Sequence, residues 1–479
     1  MDIRRIAFII SFISLNVLHL SNIKAQILIS DSLINSVSQL ELIEMTSLPI
    51  VQYGIDAYKI QYLTNDINGD ESIASGLIVV PNNNNCSWSL TTYLHGTETL
   101  KENVPSRLSN EASIGYYASA IIGSVVALPD YLGLGDSQGL HPYIHSETEA
   151  SASLDMLRAT REFCENHAIY LNDDLFIFGY SQGGHSTLAL QKLIEEENTE
   201  EFIITASIPM AGPYDVSGVQ RDLLTNEENY PAPYYLPYLI LSYYNIYPEL
   251  NEYDYDSLFV SPYDSILPLY FDGYHSGSEI DAIMPSNPVS VLNPEFYNDF
   301  LTDPSHPFRL ALESNDLTNW TPTAPINFYY CGGDQHVTHL NAMVAYQTMN
   351  NLEGVTVEQT EIDPYFDHYE CAIPSITQAI LAFLMQSQSC NTFITENYSP
   401  DISVMPNPAS DVVTIDLNNT SYKSVDLVLL DCIGRIVLSK DLNSPDKNKL
   451  NISRFNSGLY FLKLYCDGKL IGTEKLIKQ

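Results

Sequence analysis

The residue best placed to do chemistry is Ser181, which stands in Gly179-Tyr180-Ser181-Gln182-Gly183-Gly184. The motif follows the apolar run Leu175-Phe176-Ile177-Phe178 and leads into a segment of helical length from Gln182 to Glu196, the strand-to-helix setting of a nucleophile elbow. In such a turn the glycines let neighbouring backbone come close, and the hydroxyl projects above a sheet. The first amide of the helix, that of Gln182, can then face a developing oxyanion. A serine hydroxyl needs a base, and the base needs an orienting acid. Asp334, in Cys331-Gly332-Gly333-Asp334-Gln335-His336-Val337, follows a predicted strand Ile326 to Tyr330, where ligand-facing loops belong in a parallel sheet. His368, in Asp363-Pro364-Tyr365-Phe366-Asp367-His368-Tyr369-Glu370-Cys371, precedes the last predicted helix and is the expected general base. His336 and His339 are weaker bases, and Asp363 and Asp367 stand close in sequence to His368 for an orienting acid. The second oxyanion amide is expected from Thr97 in His95-Gly96-Thr97.

Other motifs carry less. Asp130-Tyr131-Leu132-Gly133-Leu134-Gly135-Asp136-Ser137 is glycine-rich, but it lacks the Lys-Ser/Thr ending of a phosphate loop and reads as a loop lining the site. His141 and His145 have the spacing of two metal ligands on a helix, which Pro142 argues against, so no metal and no cofactor are expected. His185 reads as a packed helix residue. Asp66-Ile67-Asn68-Gly69-Asp70 resembles a calcium loop with a misplaced glycine and no glutamate at its twelfth position, which leaves a plain turn.

The elements that must hold these residues alternate. A hairpin of Tyr58 to Tyr62 and Gly76 to Pro81 comes first, followed by predicted strands at Leu90 to Leu94, Ser124 to Leu128, Leu175 to Phe178, Ile203 to Pro209, Ile326 to Tyr330 and Val355 to Ile362. Helical segments fall between them, from Glu111 to Ala120, Glu149 to Asn166, Gln182 to Glu196 and His339 to Met349, with a last helix from Ile373 to Gln386. This predicts an α/β fold with a mostly parallel sheet covered on both faces. The alternation stops between Pro213 and Phe300. Those 88 residues hold 14 of the 33 tyrosines and 10 of the 26 prolines, with Arg221 as their only base among 14 acids. So long a connection inside a compact sheet reads as an inserted cap.

Composition bounds the rest. The chain has 479 residues and a formal charge of −38, and 45% of it is hydrophobic, enough for real cores. Residues 26–399 carry eight bases against 49 acids, whereas residues 400–479 are nearly balanced at ten against nine. Nucleic acid is therefore excluded as a partner by repulsion from phosphate. Residues 1–25 read as an export signal: Arg4-Arg5, an apolar stretch from Ile6 to Leu20 too short to span a membrane, and a small residue, Ala25, at the cleavage point. No later run is long enough for a stable membrane span. Seven cysteines in an exported chain can oxidise, and the odd number leaves at least one thiol unpaired or joined to another molecule.

Two resemblances follow from these residues. The elbow Gly179 to Gly184, the run Pro129 to Gly135, His141-Pro142-Tyr143, Ala211-Gly212-Pro213-Tyr214-Asp215, and His368 followed by Cys371 resemble the secretory-lipase-like branch of the α/β-hydrolases over roughly residues 50–388. That resemblance implies a secreted serine esterase or lipase with Ser181, Asp334 and His368 as its triad, Thr97 and Gln182 at its oxyanion hole, and the insertion as a cap over an acyl pocket. The cap departs from a typical lipase lid in being acidic and tyrosine-rich. Cys331 and Cys371 flank the acid and the base, either bridged or as two buried thiols. Met405-Pro406-Asn407-Pro408-Ala409, Leu430 to Arg435, Ser457 to Phe461 and Lys475 to Lys478 resemble the type A sorting domain of the type IX secretion system, whose machinery is the implied partner. Alternating strands such as Val425 to Leu430 and Leu459 to Leu464 independently predict a small β-sandwich, for which carbohydrate binding is the competing role.

The expected organisation is thus a signal peptide (1–25), a catalytic domain (26–390) with a cap at about 213–300, a linker (391–400) and a sorting domain (401–479). The expected location is outside the cell or on the outer-membrane surface. The expected activity is hydrolysis of a small-molecule or lipid carboxylic ester through an acyl-enzyme. A serine exopeptidase, with Glu227, Glu228 or Glu249 binding the substrate amine, and a non-catalytic surface-binding protein are the alternatives.

Overall fold

Strands that read as unbroken apolar runs are buried on both faces. In the computed structural model, which describes residues 26–46, 50–83, 86–388, 402–417, 425–431, 436–441, 449–466 and 469–479, nine strands form one sheet. They are β1 (Leu28–Val37), β2 (Ile55–Asn65), β3 (Glu71–Pro81), β4 (Ser87–Leu94), β5 (Ser124–Pro129), β6 (Tyr170–Tyr180), β7 (Ala206–Met210), β8 (Ile326–Cys331) and β9 (Val357–Asp363). Their spatial order is β1-β2-β3-β5-β4-β6-β7-β8-β9. The pairs from β5 through β4 to β9 are all parallel, and β1 to β3 add an antiparallel edge. β1 is absent from the sequence reading because Leu28–Val37, at the sheet edge and mostly exposed, shows no apolar alternation.

Alternate residues of the same strand feed opposite cores. Val126, Leu128, Phe176 and Phe178 join Ile380 and Phe383 of the helix His368–Gln386. Val125, Ala127, Leu175 and Ile177 join Leu157 and Phe163 of the helix Ser146–Asn166 and Leu190 and Ile194 of the helix Gln182–Glu197. Each such side chain contributes about 1.5–3 kcal/mol by leaving water, so two full cores fix the sheet rigidly. The register brings Leu94 beside Gly179, Tyr180 beside Met210, and Cys331 beside Asp363. The carboxyl ends of five strands therefore open onto one rim.

Several boundaries differ from expectation, strands β2, β3 and β6 being longer than their apolar runs, and two differences bear on the site. The last helix begins at His368 instead of Ile373, because Asp367 and Glu370 form a capping box there. The inserted segment continues past Phe300 through a further helix, Pro307–Glu313, before β8. Its tyrosines are mostly turned inward and pack with Leu236, Leu239, Phe259, Phe296 and Phe308 into a core of their own. Several hydroxyls then reach backbone carbonyls of the body: Tyr230 to His336 at 2.6 Å, Tyr238 to Glu98 at 3.0 Å and Tyr243 to Ile144 at 2.8 Å. Tyrosine suits this junction because it combines a large apolar ring with one donor at its tip.

The C-terminal strands are β10 (Ile402–Met405), β11 (Val412–Leu417), β12 (Val425–Asp431), β13 (Ile436–Asp441), β14 (Lys449–Asn451), β15 (Gly458–Cys466) and β16 (Lys469–Lys478). They form two antiparallel sheets, β10-β11-β14 and β13-β12-β15-β16, around Val413, Ile415, Leu427, Leu429, Leu462 and Leu464. The strands expected at Val425 and Leu459 are present. The expected export signal and linker lie outside the described residues. Among the described residues no helix is long and apolar enough to cross a membrane.

Candidate active site

The turn at Ser181 is tight because its neighbours are bare. Ser181 has φ 59° and ψ −123°, outside the regions an ordinary side chain prefers, and its amide is held by Met210 O at 2.9 Å. A Cβ on Gly179 would run into the Gly183 carbonyl, and one on Gly183 would run into the Leu94 carbonyl. The serine is thus lifted to the rim at the start of the helix Gln182–Glu197, where the first amides have no helical partner.

The structure brings Ser181, Asp334 and His368 together. His368 Nε2 lies 2.9 Å from Ser181 Oγ, and His368 Nδ1 lies 2.6 Å from Asp334 Oδ2. All three are buried, at 6%, 5% and 3% exposure, so little water competes for these contacts. The other Asp334 oxygen accepts the amides of His336 and Val337, both at 2.9 Å, which leaves Oδ2 for the imidazole. With Nδ1–H given to the carboxylate, Nε2 is free to accept from the serine. Backbone position is fixed from the sheet side, where Tyr180 OH donates to His368 O at 2.6 Å. The alternative acids have other work. Asp363 accepts the amides of Tyr365 and Phe366, while Asp367 caps the last helix through the amides of Tyr369 and Glu370.

A disulfide joins Cys331, at the end of β8, to Cys371, in the first turn of the last helix. It therefore ties the Asp334 loop to the His368 turn. Cys86 is also disulfide-bonded, and Cys164 is a buried free thiol pushed up to about 12 by burial.

The loop carrying Thr97 runs beside Ser181. A Cβ on Gly96 would stand 3.8 Å from Ser181 Cβ, an ordinary contact, and Thr97 Oγ1 lies 3.1 Å from Tyr143 OH. Beneath Gln182 is a buried polar network that the sequence reading missed. Gln182 Nε2 donates to Glu149 Oε1 at 2.8 Å and to His141 Nε2 at 2.6 Å, and Glu149 Oε2 meets His185 Nδ1 at 2.7 Å. His185 Nε2 faces the Asn315 carbonyl at 3.0 Å, so both its ring nitrogens have a polar partner. The available signal was an acid in the inward phase of a helix, at Glu149, one turn before the buried Ser153. His141 and His145 are engaged with Leu132 O and Thr148 Oγ1. Among the described residues no group of histidine, cysteine and acidic side chains is arranged to hold a metal ion.

His336 stacks on His368, with ring centroids 5.1 Å apart. Burial, with the neighbouring imidazole second, pushes His336 down to about 4 and keeps it neutral at ordinary pH. Tyr369 meets the edge of the same ring and is largely exposed at the rim. The side of the site next to His368 is therefore aromatic, with Tyr369 at its exposed edge. The side next to Gln182 is walled by the cap, with Tyr143, Leu224, Tyr235 and Leu239 around a small cavity that also touches Ser181.

This architecture resembles that of the α/β-hydrolases, followed by a C-terminal secretion domain. The family model described as the secretion system C-terminal sorting domain matches residues 403–479. That domain belongs to type IX secretion and addresses the chain to the outside of the cell or the outer-membrane surface. Over three quarters of its length the chain is similar to solved esterases and lipases. A putative hydrolase from Legionella pneumophila shares 28% identity at TM-score 0.69, with 75% of this chain and 98% of that chain covered. The rice cell wall degrading esterase LipA from Xanthomonas oryzae shares 26% at TM-score 0.67, covering 75% and 97%. Candida antarctica lipase A in its closed state, at 15% and TM-score 0.58 over 75% and 81%, shares the fold. Among curated proteins none matches by sequence.

Proposed function

We propose that this chain is a secreted serine hydrolase that cleaves carboxylic esters through an acyl-enzyme on Ser181. The observation that carries the reading is the pair of contacts made by His368, 2.9 Å to Ser181 Oγ and 2.6 Å to Asp334. In the proposed reaction His368 Nε2 takes the serine proton as Oγ attacks the acyl carbon. The amides of Gln182 and Thr97 meet the oxyanion, and Asp334 steadies the imidazolium. His368 then protonates the leaving alcohol. Water, deprotonated by the same ring, attacks the acyl-serine and releases the acid.

An ester is favoured over an amino-terminal peptide by the cavity beside Ser181, whose walls are apolar or neutral. An exopeptidase needs a carboxylate where the substrate amine sits, and Glu227, Glu228 and Glu249 are exposed residues of the cap. Likeness to the Xanthomonas oryzae esterase supports the same choice. The test is labelling with a fluorophosphonate followed by turnover of aryl acetate and an aminoacyl anilide. Ser181 labelling with ester turnover is expected. Absence of labelling sinks catalysis altogether, and turnover of the anilide alone points to the peptidase.

A further inference from the structure

The cavity beside Ser181 is small, about 20 Å³, and ends at a wall of Val216, Leu224 and Leu239. Behind that wall lies a second cavity of about 10 Å³, bordered by the same three side chains together with Phe300, Phe308 and Leu312 of the cap. About 10–15 Å³ of such space admits a single water molecule, so the first chamber holds one or two heavy atoms. The partition is packed on both sides: Val216 is 1% exposed, and Leu224 and Leu239 are each 4% exposed. Close-packed side chains of this kind do not yield to a longer chain without rearrangement.

The chamber borders Gln182 but not His368. A leaving alcohol has to stand beside the base that protonates it, whereas the acyl substituent extends from the carbonyl held at the Gln182 amide. The chamber therefore receives the acyl side of the ester. On the reading that Ser181 is the nucleophile, we infer that the substrates are esters of very short acids, acetyl or propionyl, and that Leu224 and Leu239 set this limit. The two chambers are then one blocked channel, and shortening either leucine joins them.

The experiment is the ratio of kcat/KM along p-nitrophenyl acetate, propionate, butyrate, hexanoate and decanoate for the wild type, Leu224→Ala, Leu239→Ala and the gentler Leu239→Val. For the wild type, a fall of at least tenfold from propionate to hexanoate is expected. In the alanine variants the hexanoate-to-acetate ratio is expected to rise about tenfold or more, with Leu239→Val intermediate. Each variant is also labelled with a short-chain fluorophosphonate, which reports an assembled site. Hexanoate turned over by the wild type as fast as acetate overturns the inference, as does an unchanged profile in variants that still label. Failure of Ser181 to label, with no turnover at any length, instead overturns the hydrolase reading itself.

Discussion

At the scale of single residues, each part of the proposed site is held by contacts that leave one atom free for its task. Asp334 gives one oxygen to two backbone amides and the other to His368, so a change that keeps shape but removes charge should be costly. Asp334→Asn is expected to lower kcat about 10³–10⁴-fold with little loss of stability. Ser181→Ala should abolish fluorophosphonate labelling and remove about 10⁶-fold in kcat, both readable in one burst assay. The buried histidines add a pH dependence. Burial holds His141, His145 and His336 down at about 4, against 6.5 in the open chain. Between those values the unfolded chain binds more protons than the folded one, so stability present above pH 6.5 is lost as the pH falls toward 4. Asp281, raised to about 6 by burial, opposes this over part of the range, as do Asp130, Asp155, Asp316 and Glu474, which burial also raises. A drop of several degrees in Tm from pH 7 to pH 4.5, measured by scanning calorimetry, is the expected outcome. That Ser181, Asp334 and His368 come together was legible in the sequence because each sits at a strand-to-helix or strand-to-loop junction with its own local signature. Glu149 was passed over, since an acid in the first turn of a helix looks solvated until the opposing Gln182 and His185 are known.

Among the elements, the parallel strands were the most legible, because burial on both faces leaves continuous runs such as Phe176-Ile177-Phe178 that nothing else explains. Edge strand Leu28–Val37 was illegible for the opposite reason: its pairing with β2 is made by backbone, and its exposed side chains obey no pattern. The cap was found as an interruption, but its inward tyrosines could not be distinguished from a polar surface until partners such as His336 O and Glu98 O were in place. One covalent element holds the site. The Cys331–Cys371 bridge closes a segment with a sequence separation of 40, for which loop entropy predicts about 4 kcal/mol of stabilisation. Replacing both cysteines by alanine should lower the denaturant midpoint accordingly. It should also slow Ser181 labelling, because the Asp334 loop and the His368 turn are then held only by non-covalent contacts.

For the whole molecule, acidity is the governing property. Residues 26–399 hold 49 acids and eight bases, and most of those bases are occupied locally. Lys59 and Arg107 both pair with Asp136, which their hydrogen bonds, working against its burial, hold at about 2; Arg158 pairs with Asp155 and Glu201. The remaining acids repel one another over distances set by the salt. Raising ionic strength from 10 to 150 mM shortens the screening length from about 30 Å to about 8 Å, so Tm should rise with salt. A cationic ester should lose its advantage over a neutral isostere across the same range, a ratio that needs only initial rates. The sorting domain is nearly neutral and is expected to contribute to neither effect. The bridge between Cys331 and Cys371 has a further meaning at this scale. Disulfides of this kind persist in oxidising surroundings and are rare in a reducing cytosol. The clasp on the proposed acid and base therefore belongs to the molecule at its destination, and a chain still inside the cell that made it is an unfastened form of the same protein.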